Sequence, residues 1–97
     1  MTTKTEILKK LKSYKSINAK RYGIITIGVF GSYSRNEGNN DSDVDIVIKT
    51  KTPDLFQLVH IKDDLEKIFK TKVDVIRYRK NMNPYLLKQI DLDTIYV

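Results

Sequence analysis

Two aspartates, Asp43 and Asp45, stand two residues apart in a stretch that alternates polar and apolar residues. Alternate residues of a β-strand project from the same face of a sheet, so both carboxylates would reach one shared cation. Neighbouring carboxylates repel each other unless positive charge lies between them. A hard divalent cation such as Mg²⁺ suits them, because it prefers oxygen ligands and keeps positions open for water and phosphate. The alternative is a pair of exposed acids at the end of a strand.

A glycine and a serine, Gly31 and Ser32, come before these acids and directly after the apolar run 24–30. A glycine lets backbone N–H groups approach a phosphate, and the start of a helix adds the positive end of its dipole. The Ser32 hydroxyl could donate one further hydrogen bond. We interpret the pair as a phosphate-binding turn that opens a short helix. An ordinary turn with Ser32 as the helix cap is the alternative.

A third acid, Asp74, lies between Val73 and Val75 in another apolar run. The middle of a strand is a costly place for a carboxylate that is neither paired nor bound to a metal. If this strand lies beside the strand of the two aspartates, all three acids converge on one face of the sheet. Three carboxylates suit two Mg²⁺ ions about 3.5–4 Å apart, the arrangement used for in-line attack on a phosphoryl group. The alternative is a salt bridge to Arg77, Arg79 or a lysine.

The rest of the sequence must form the elements that position these residues. Thr3 and Glu6 form a capping box, and helical spacing of apolar residues predicts a helix that continues to about Arg21 and ends at Gly23. A second helix is predicted from a start at 52–54, with the Thr52 hydroxyl as cap, to about residue 70. Further predicted elements are strands 24–30, 43–49 and 73–78, a loop at 35–42, a short helix at 84–90, and either an edge strand or a docked tail at 95–97.

The order of these elements predicts an α/β (α+β) fold, with a small mixed sheet of three or four strands flanked by helices. The short connection makes the first two strands antiparallel neighbours, and the long second helix suits a crossover to the third strand. The 97 residues fit one domain, spanning 1–97. No cysteine is present, which excludes disulfides and thiolate metal sites.

Composition also limits the partners. No apolar run approaches the ~20 residues of a membrane span, so we expect a cytoplasmic protein with no membrane partner. The net charge of +6 favours an anionic partner such as a nucleotide, a nucleic acid or an acidic protein face. A lysine-rich solvated surface explains the charge equally well, so direct nucleic-acid binding is allowed but not favoured.

The chemistry-bearing residues carry a family resemblance. The spacing resembles the GS-x10-D-x-D signature of the DNA polymerase β-type nucleotidyltransferases: Gly31-Ser32 is followed by ten residues and then by an Asp-Val-Asp triplet at 43–45. Asp74 resembles the third acid of that family. The short chain is similar to the minimal nucleotidyltransferase (MNT) branch. The chain departs from the family at two loop positions: it has Arg35-Asn36 where members often have Arg-Gly, and Asn40 where they often have proline. These differences affect the expected conformation of the loop and not the expected chemistry.

The resemblance implies a polymerase β-like nucleotidyltransferase fold, two Mg²⁺ ions and ATP as substrate. Gly31 and Ser32 would hold the β- and γ-phosphates. Asp43 and Asp45 would ligate the metals, and Asp74 would complete the catalytic metal site and help to activate the acceptor hydroxyl. Arg35 is a candidate phosphate contact, with a solvated loop arginine as the alternative.

The MNT branch further implies a partner. Its members resemble antitoxins that transfer AMP from ATP to a tyrosine of a cognate HEPN-domain RNase toxin and remain in complex with it. Two other functions stay open: a nucleotidyltransferase acting on RNA ends, which the basic charge would suit, and an antitoxin that only masks its toxin. Three converging carboxylates argue against pure masking, because a binding module has no need of them.

Overall fold

The computed structural model describes residues 3–31, 33–34 and 43–97, and within them the chain forms three helices and four strands. The predicted loop at 35–42 and the predicted helix start at Ser32 lie outside the described residues. In chain order the elements are α1 (Lys4–Tyr22), β1 (Ile24–Phe30), β2 (Val44–Thr50), α2 (Leu55–Phe69), β3 (Val73–Arg77), α3 (Pro84–Asp93) and β4 (Ile95–Tyr96). Among the described residues, no helix is long and apolar enough to cross a membrane.

The four strands form one mixed sheet in the order β3-β2-β1-β4. β1 runs antiparallel to both β2 and β4, whereas β2 and β3 are parallel. The mixed sheet, the antiparallel first pair and the crossover through α2 are therefore confirmed. The edge strand expected at the C-terminal end is also present, because β4 pairs with Gly28 and Val29 and the Val97 N–H donates to the Ile27 carbonyl at 3.0 Å.

Helices α1 and α2 cover one face of the sheet. The inward residues of both helices recur every three or four positions, as an amphipathic helix requires. They pack against alternate residues of β1, β2 and β3 and form a single hydrophobic cluster with them. The fully buried members of this cluster are Ile7, Leu11, Ile27, Val29, Val44, Ile46, Ile48, Ile61, Leu65 and Val73. Successive side chains of a strand point to opposite faces, so Asp45 and Asp74 face away from these two helices.

A hydrogen bond joins the two covering helices. The Tyr14 hydroxyl of α1 donates to the Asp64 carboxylate of α2 at 2.8 Å. Burial of the ring, and then this hydrogen bond, raise the pKa of Tyr14 above its ordinary value. Tyr14 therefore stays a protonated donor at neutral pH and holds α1 against α2.

The ends of the helices confirm one capping prediction and correct another. The Thr3 hydroxyl accepts from the Glu6 N–H at 3.2 Å, and Gly23 ends α1 with a left-handed φ of 64°. The prediction that Thr52 caps the second helix is wrong. Asp54 is the cap, and its carboxylate accepts from the N–H groups of Phe56 at 3.0 Å and of residue 57 at 3.2 Å. The negative charge of Asp54 at the positive helix end, with the proline placed before the cap, explains this choice.

The cap can be tested by a pair of substitutions. Asp54→Ala should lower the free energy of unfolding by about 1 kcal/mol, because two N–H groups lose their acceptor. Thr52→Ala should change it by less than about 0.5 kcal/mol, because Thr52 contributes its backbone carbonyl, which alanine keeps, to the hydrogen bond with the Thr50 hydroxyl. Urea unfolding followed by circular dichroism measures both. An equal or larger loss for Thr52→Ala would contradict the assignment.

Candidate active site

The turn after β1 places the backbone of Gly31 close to the Asp45 carboxylate. Gly31 follows Phe30, which is the register partner of Asp45 across the antiparallel pair. Gly31 is buried and has a φ of 81°, and a Cβ added to it would lie 2.6 Å from Asp45 Oδ2. A side chain there would have to push the Asp45 carboxylate aside, and few L-residues adopt that φ. Glycine therefore suits this position both by its conformation and by its closeness to Asp45.

A serine that sequence reasoning missed holds this turn in shape. The Ser34 hydroxyl donates to the Gly31 carbonyl at 2.7 Å, and Ser34 is only 8% exposed. A hydroxyl three residues after a glycine is the only sequence signal, and it is too common to stand out. Tyr33, next to Ser34 in the chain, packs in the core cluster. Ser32 lies outside the described residues.

The two strands that carry the acids lie side by side. Asp45 of β2 and Asp74 of β3 are register partners in the parallel pair. Neighbouring strands are about 4.8 Å apart, and paired residues share a face, so the two side chains are adjacent. Asp43 directly precedes β2, two residues before Asp45. The predicted neighbourhood of the two acid-bearing strands is therefore confirmed.

Hydrogen bonds to the backbone fix the starts of both strands. The Glu66 carboxylate of α2 accepts from the Val73 N–H at 3.0 Å. The Val44 N–H in turn donates to the Lys72 carbonyl at 3.1 Å. Glu66 is a second residue that sequence reasoning missed, since its role depends on where α2 ends relative to β3. These bonds set the alignment of Asp74 with Asp45.

The expectation that Asp74 occupies a costly buried position is wrong. Asp74 is exposed, as is Asp43, whereas Asp45 is partly buried. The reason is that β3 is an edge strand and Asp74 is its second residue, so solvent reaches the carboxylate from the side. Arg77, one of the suggested salt-bridge partners, directs its Nε to the Thr50 hydroxyl at 3.4 Å.

The donor types at this end of the sheet fit a hard cation. Asp45 and Asp74 offer adjacent carboxylate oxygens, with Asp43 next along the chain, and Mg²⁺ favours such ligands. Among residues 3–31, 33–34 and 43–97, however, no three acidic or histidine side chains are already gathered into a metal-binding cluster.

The arrangement suits chemistry on a phosphate. Backbone N–H groups of a glycine turn are typical phosphate ligands, and the Asp45 carboxylate lies beside this glycine. Phosphate oxygens at the turn would therefore lie beside any cation held by Asp45 and Asp74. Arg35, the remaining predicted phosphate contact, lies outside the described residues.

Comparison with known families decides the relationship. Residues 7–97 match the sequence profile of the family described as "Polymerase beta, Nucleotidyltransferase". The chain belongs to this nucleotidyltransferase family. The resemblance inferred from the Gly-Ser and Asp-Val-Asp motifs is thus confirmed, and with it the polymerase β-like fold.

Two relatives are similar along their whole length. A protein of Methanocaldococcus jannaschii is 38% identical over all of both chains. The protein adenylyltransferase MntA of Thermococcus cleftensis is 33% identical over 100% of this chain and 98% of its own. These levels of identity place this chain in the same family as the two relatives.

Two solved structures share the fold. One is a crystal structure of a toxin–antitoxin with AMP-PNP. It has a TM-score of 0.74 and 21% identity over 91% of this chain and 69% of the other. The second contains a tri-AMPylated Shewanella oneidensis HEPN toxin in complex with MNT antitoxin. It has a TM-score of 0.70 and 19% identity over 97% of this chain and 71% of the other.

Substitution of two glycines tests the turn. Gly31→Ala should weaken binding of a nonhydrolysable ATP analogue by at least about tenfold, because the new Cβ displaces the Asp45 carboxylate and the turn backbone. Gly23→Ala is the matched control, since Gly23 also has a positive φ but the nearest atom to its added Cβ is 3.6 Å away, on Lys51. Both should lose similar stability. Calorimetry with Mg²⁺ present measures the affinity, and equal affinities for the two variants would exclude the Gly31 turn from the site.

Proposed function

We propose that this protein transfers AMP from ATP to a tyrosine hydroxyl of a cognate HEPN-domain toxin and thereby acts as its antitoxin. Membership of the nucleotidyltransferase family supports the reaction type. The name of the MntA relative supports a protein acceptor. The two toxin–antitoxin structures of the same fold support ATP as donor and a HEPN toxin as partner. The single observation that carries the proposal is the contact of the Gly31 turn with Asp45, whose register partner is Asp74.

Each predicted site residue has a role in this proposal. Backbone groups at Gly31 and the hydroxyl of Ser32 bind the β- and γ-phosphates, with Arg35 as a further phosphate contact. Asp43 and Asp45 would ligate the Mg²⁺ ions, and Asp74 would complete the catalytic metal site and help to activate the acceptor hydroxyl. When bound, these ions neutralise phosphate charge and favour ionisation of the acceptor hydroxyl.

The transfer step is an in-line displacement. The tyrosine oxygen forms a bond to the α-phosphorus of ATP, and the bond between that phosphorus and the oxygen bridging to the β-phosphorus breaks. The bridging oxygen keeps the bonding electrons and leaves as part of pyrophosphate, held at the Gly31 turn. Asp74 draws the hydroxyl proton away from the tyrosine. Because Asp74 is exposed on an edge strand, a tyrosine on the surface of another protein can reach it.

The position of the positive charge weighs against RNA ends as the acceptor. Helix α1 carries seven of the 18 basic residues, and it covers the face of the sheet opposite Asp45 and Asp74. RNA held by this helix would not present its end to the carboxylates. We further propose that residues 1–97 act as a single domain in the cytoplasm.

A pair of isosteric substitutions tests the assignment of Asp74. Asp74→Asn should abolish AMP transfer but keep binding of the ATP analogue within about tenfold, because Gly31, Asp43 and Asp45 still hold the triphosphate and its cation. Asp63→Asn is the matched control, since Asp63 is an exposed acid on α2, on the other side of the sheet. The measurement is the intact mass of the toxin after incubation with ATP, Mg²⁺ and substoichiometric antitoxin.

The parent and Asp63→Asn should add one or more AMP units to every toxin molecule, and Asp74→Asn should add none. Loss of transfer in both variants would mean that general charge, rather than the site, is responsible. If the parent protein left the toxin inactive but unmodified, the antitoxin would act by masking the toxin and not by adenylylation. Label from ATP appearing in RNA instead of protein would support the RNA-end alternative.

A further inference from the structure

Helix α1 accounts for the whole net charge of the chain. Seven basic residues and one acid lie within Lys4–Tyr22, which gives this helix a net charge of +6, equal to that of the entire protein. The other 11 basic residues are balanced by the other 11 acidic residues. An even, solubilising distribution would not place the excess on one helix. The charge therefore marks a surface with a preferred partner.

The outermost face of α1 has a uniform composition. Opposite the packed residues Ile7, Leu11 and Tyr14, six exposed side chains share one face of the helix. We call them the lysine–hydroxyl stripe: Thr5, Lys9, Lys12, Ser13, Ser16 and Lys20. All six are lysine, serine or threonine, with no acid and no large apolar residue among them. The stripe runs for about 22 Å along the helix.

The surface to either side of the stripe differs in chemistry. Towards α2, the stripe borders a groove of about 820 Å³, which Lys9 and Ser13 also line and which contains the acids Glu6 and Asp64 and the 78% exposed Ile17. On the other flank, the Lys15 ammonium donates to the Val97 carbonyl at 2.8 Å and so contributes to the fold. The part of α1 suited to a polyanion is therefore the outer line of the stripe, which faces away from the groove acids.

We propose that the lysine–hydroxyl stripe binds the phosphate backbone of nucleic acid without reading its sequence. Lysine ammonium groups and small hydroxyls are among the side chains that contact phosphates, whereas the buried core of a protein interface is typically apolar. The stripe lies on the face opposite Asp45 and Asp74, so bound nucleic acid is not the substrate of the transfer reaction. This site goes beyond the proposed function and does not depend on it.

Two triple variants test the stripe. Lys9→Gln, Lys12→Gln and Lys20→Gln together remove its positive charge, and glutamine keeps a similar helix propensity. The control removes three exposed lysines elsewhere, through Lys51→Gln, Lys80→Gln and Lys88→Gln, so both variants lose the same charge. Fluorescence anisotropy with a labelled 20-base-pair RNA duplex, and with DNA of the same sequence, gives the affinity between 50 and 200 mM KCl. A polyglutamate peptide of matched charge serves as the competitor.

For the parent, three phosphate contacts predict that affinity falls about 40-fold over this salt range. The stripe variant should bind at least tenfold more weakly at 50 mM KCl, with most of the salt dependence lost, and the control should stay within about threefold of the parent. RNA and DNA should behave alike, because only the backbone is contacted.

Equal weakening in the two variants, or no binding by the parent at 50 mM KCl, would overturn the proposal. Stronger binding of polyglutamate than of RNA would also overturn it, in favour of an acidic protein partner. Matching thermal unfolding of the three proteins ensures that a lost fold is not the cause.

Discussion

The close approach of Gly31 to the Asp45 carboxylate is the constraint on which the candidate site depends. A Cβ at position 31 would lie 2.6 Å from Asp45 Oδ2, so the turn proposed to bind phosphate and the acid proposed to ligate the cation come this close, without a shift of the carboxylate, because residue 31 is glycine. Phosphate and cation attract each other, and a site that binds both must place their protein ligands side by side. This contact does so with backbone on one side and carboxylate on the other.

Two strand registers create that contact and extend it. The antiparallel register pairs Phe30 with Asp45, which brings the end of β1 to the start of β2. The parallel register pairs Asp45 with Asp74, and it requires a crossover that returns the chain to the same end of the sheet. Helix α2 provides that crossover and also supplies Glu66 to fix the start of β3. With α1 and α2 on one face, Asp45 and Asp74 lie on the opposite face, which also carries the buried Val47.

Much of this arrangement could be predicted from the sequence, because apolar periodicity and turn residues are local signals. They predicted the helices, the strands and the order of parallel and antiparallel connections. The motif residues at 31–32, 43–45 and 74 could be recognised by type and spacing. Asp74 was expected to be buried, however, because the sequence does not say whether a strand lies at the edge or in the centre of a sheet.

Details that depend on register or on competing caps were beyond the sequence. The contact of Gly31 with Asp45 appears only when β1 and β2 are aligned, and the Ser34 hydrogen bond only when the turn is formed. Thr52 and Asp54 were both acceptable caps by residue type, and the charge at the helix end favoured Asp54. The distribution of charge over the fold was also hidden, since the sequence does not place α1 opposite the acids.

The central claim is that nucleotide and metal bind where Gly31, Asp45 and Asp74 meet. The most direct test is NMR line broadening by Mn²⁺, used in place of Mg²⁺ together with a nonhydrolysable ATP analogue. The amide signals of Gly31, Asp45 and Asp74 should broaden first, and those of Glu6 and Asp64, acids in the groove between α1 and α2, should stay sharp at the same Mn²⁺ concentration. Asp45→Asn should abolish this pattern. Broadening centred on Glu6 and Asp64, or unchanged by Asp45→Asn, would contradict the account.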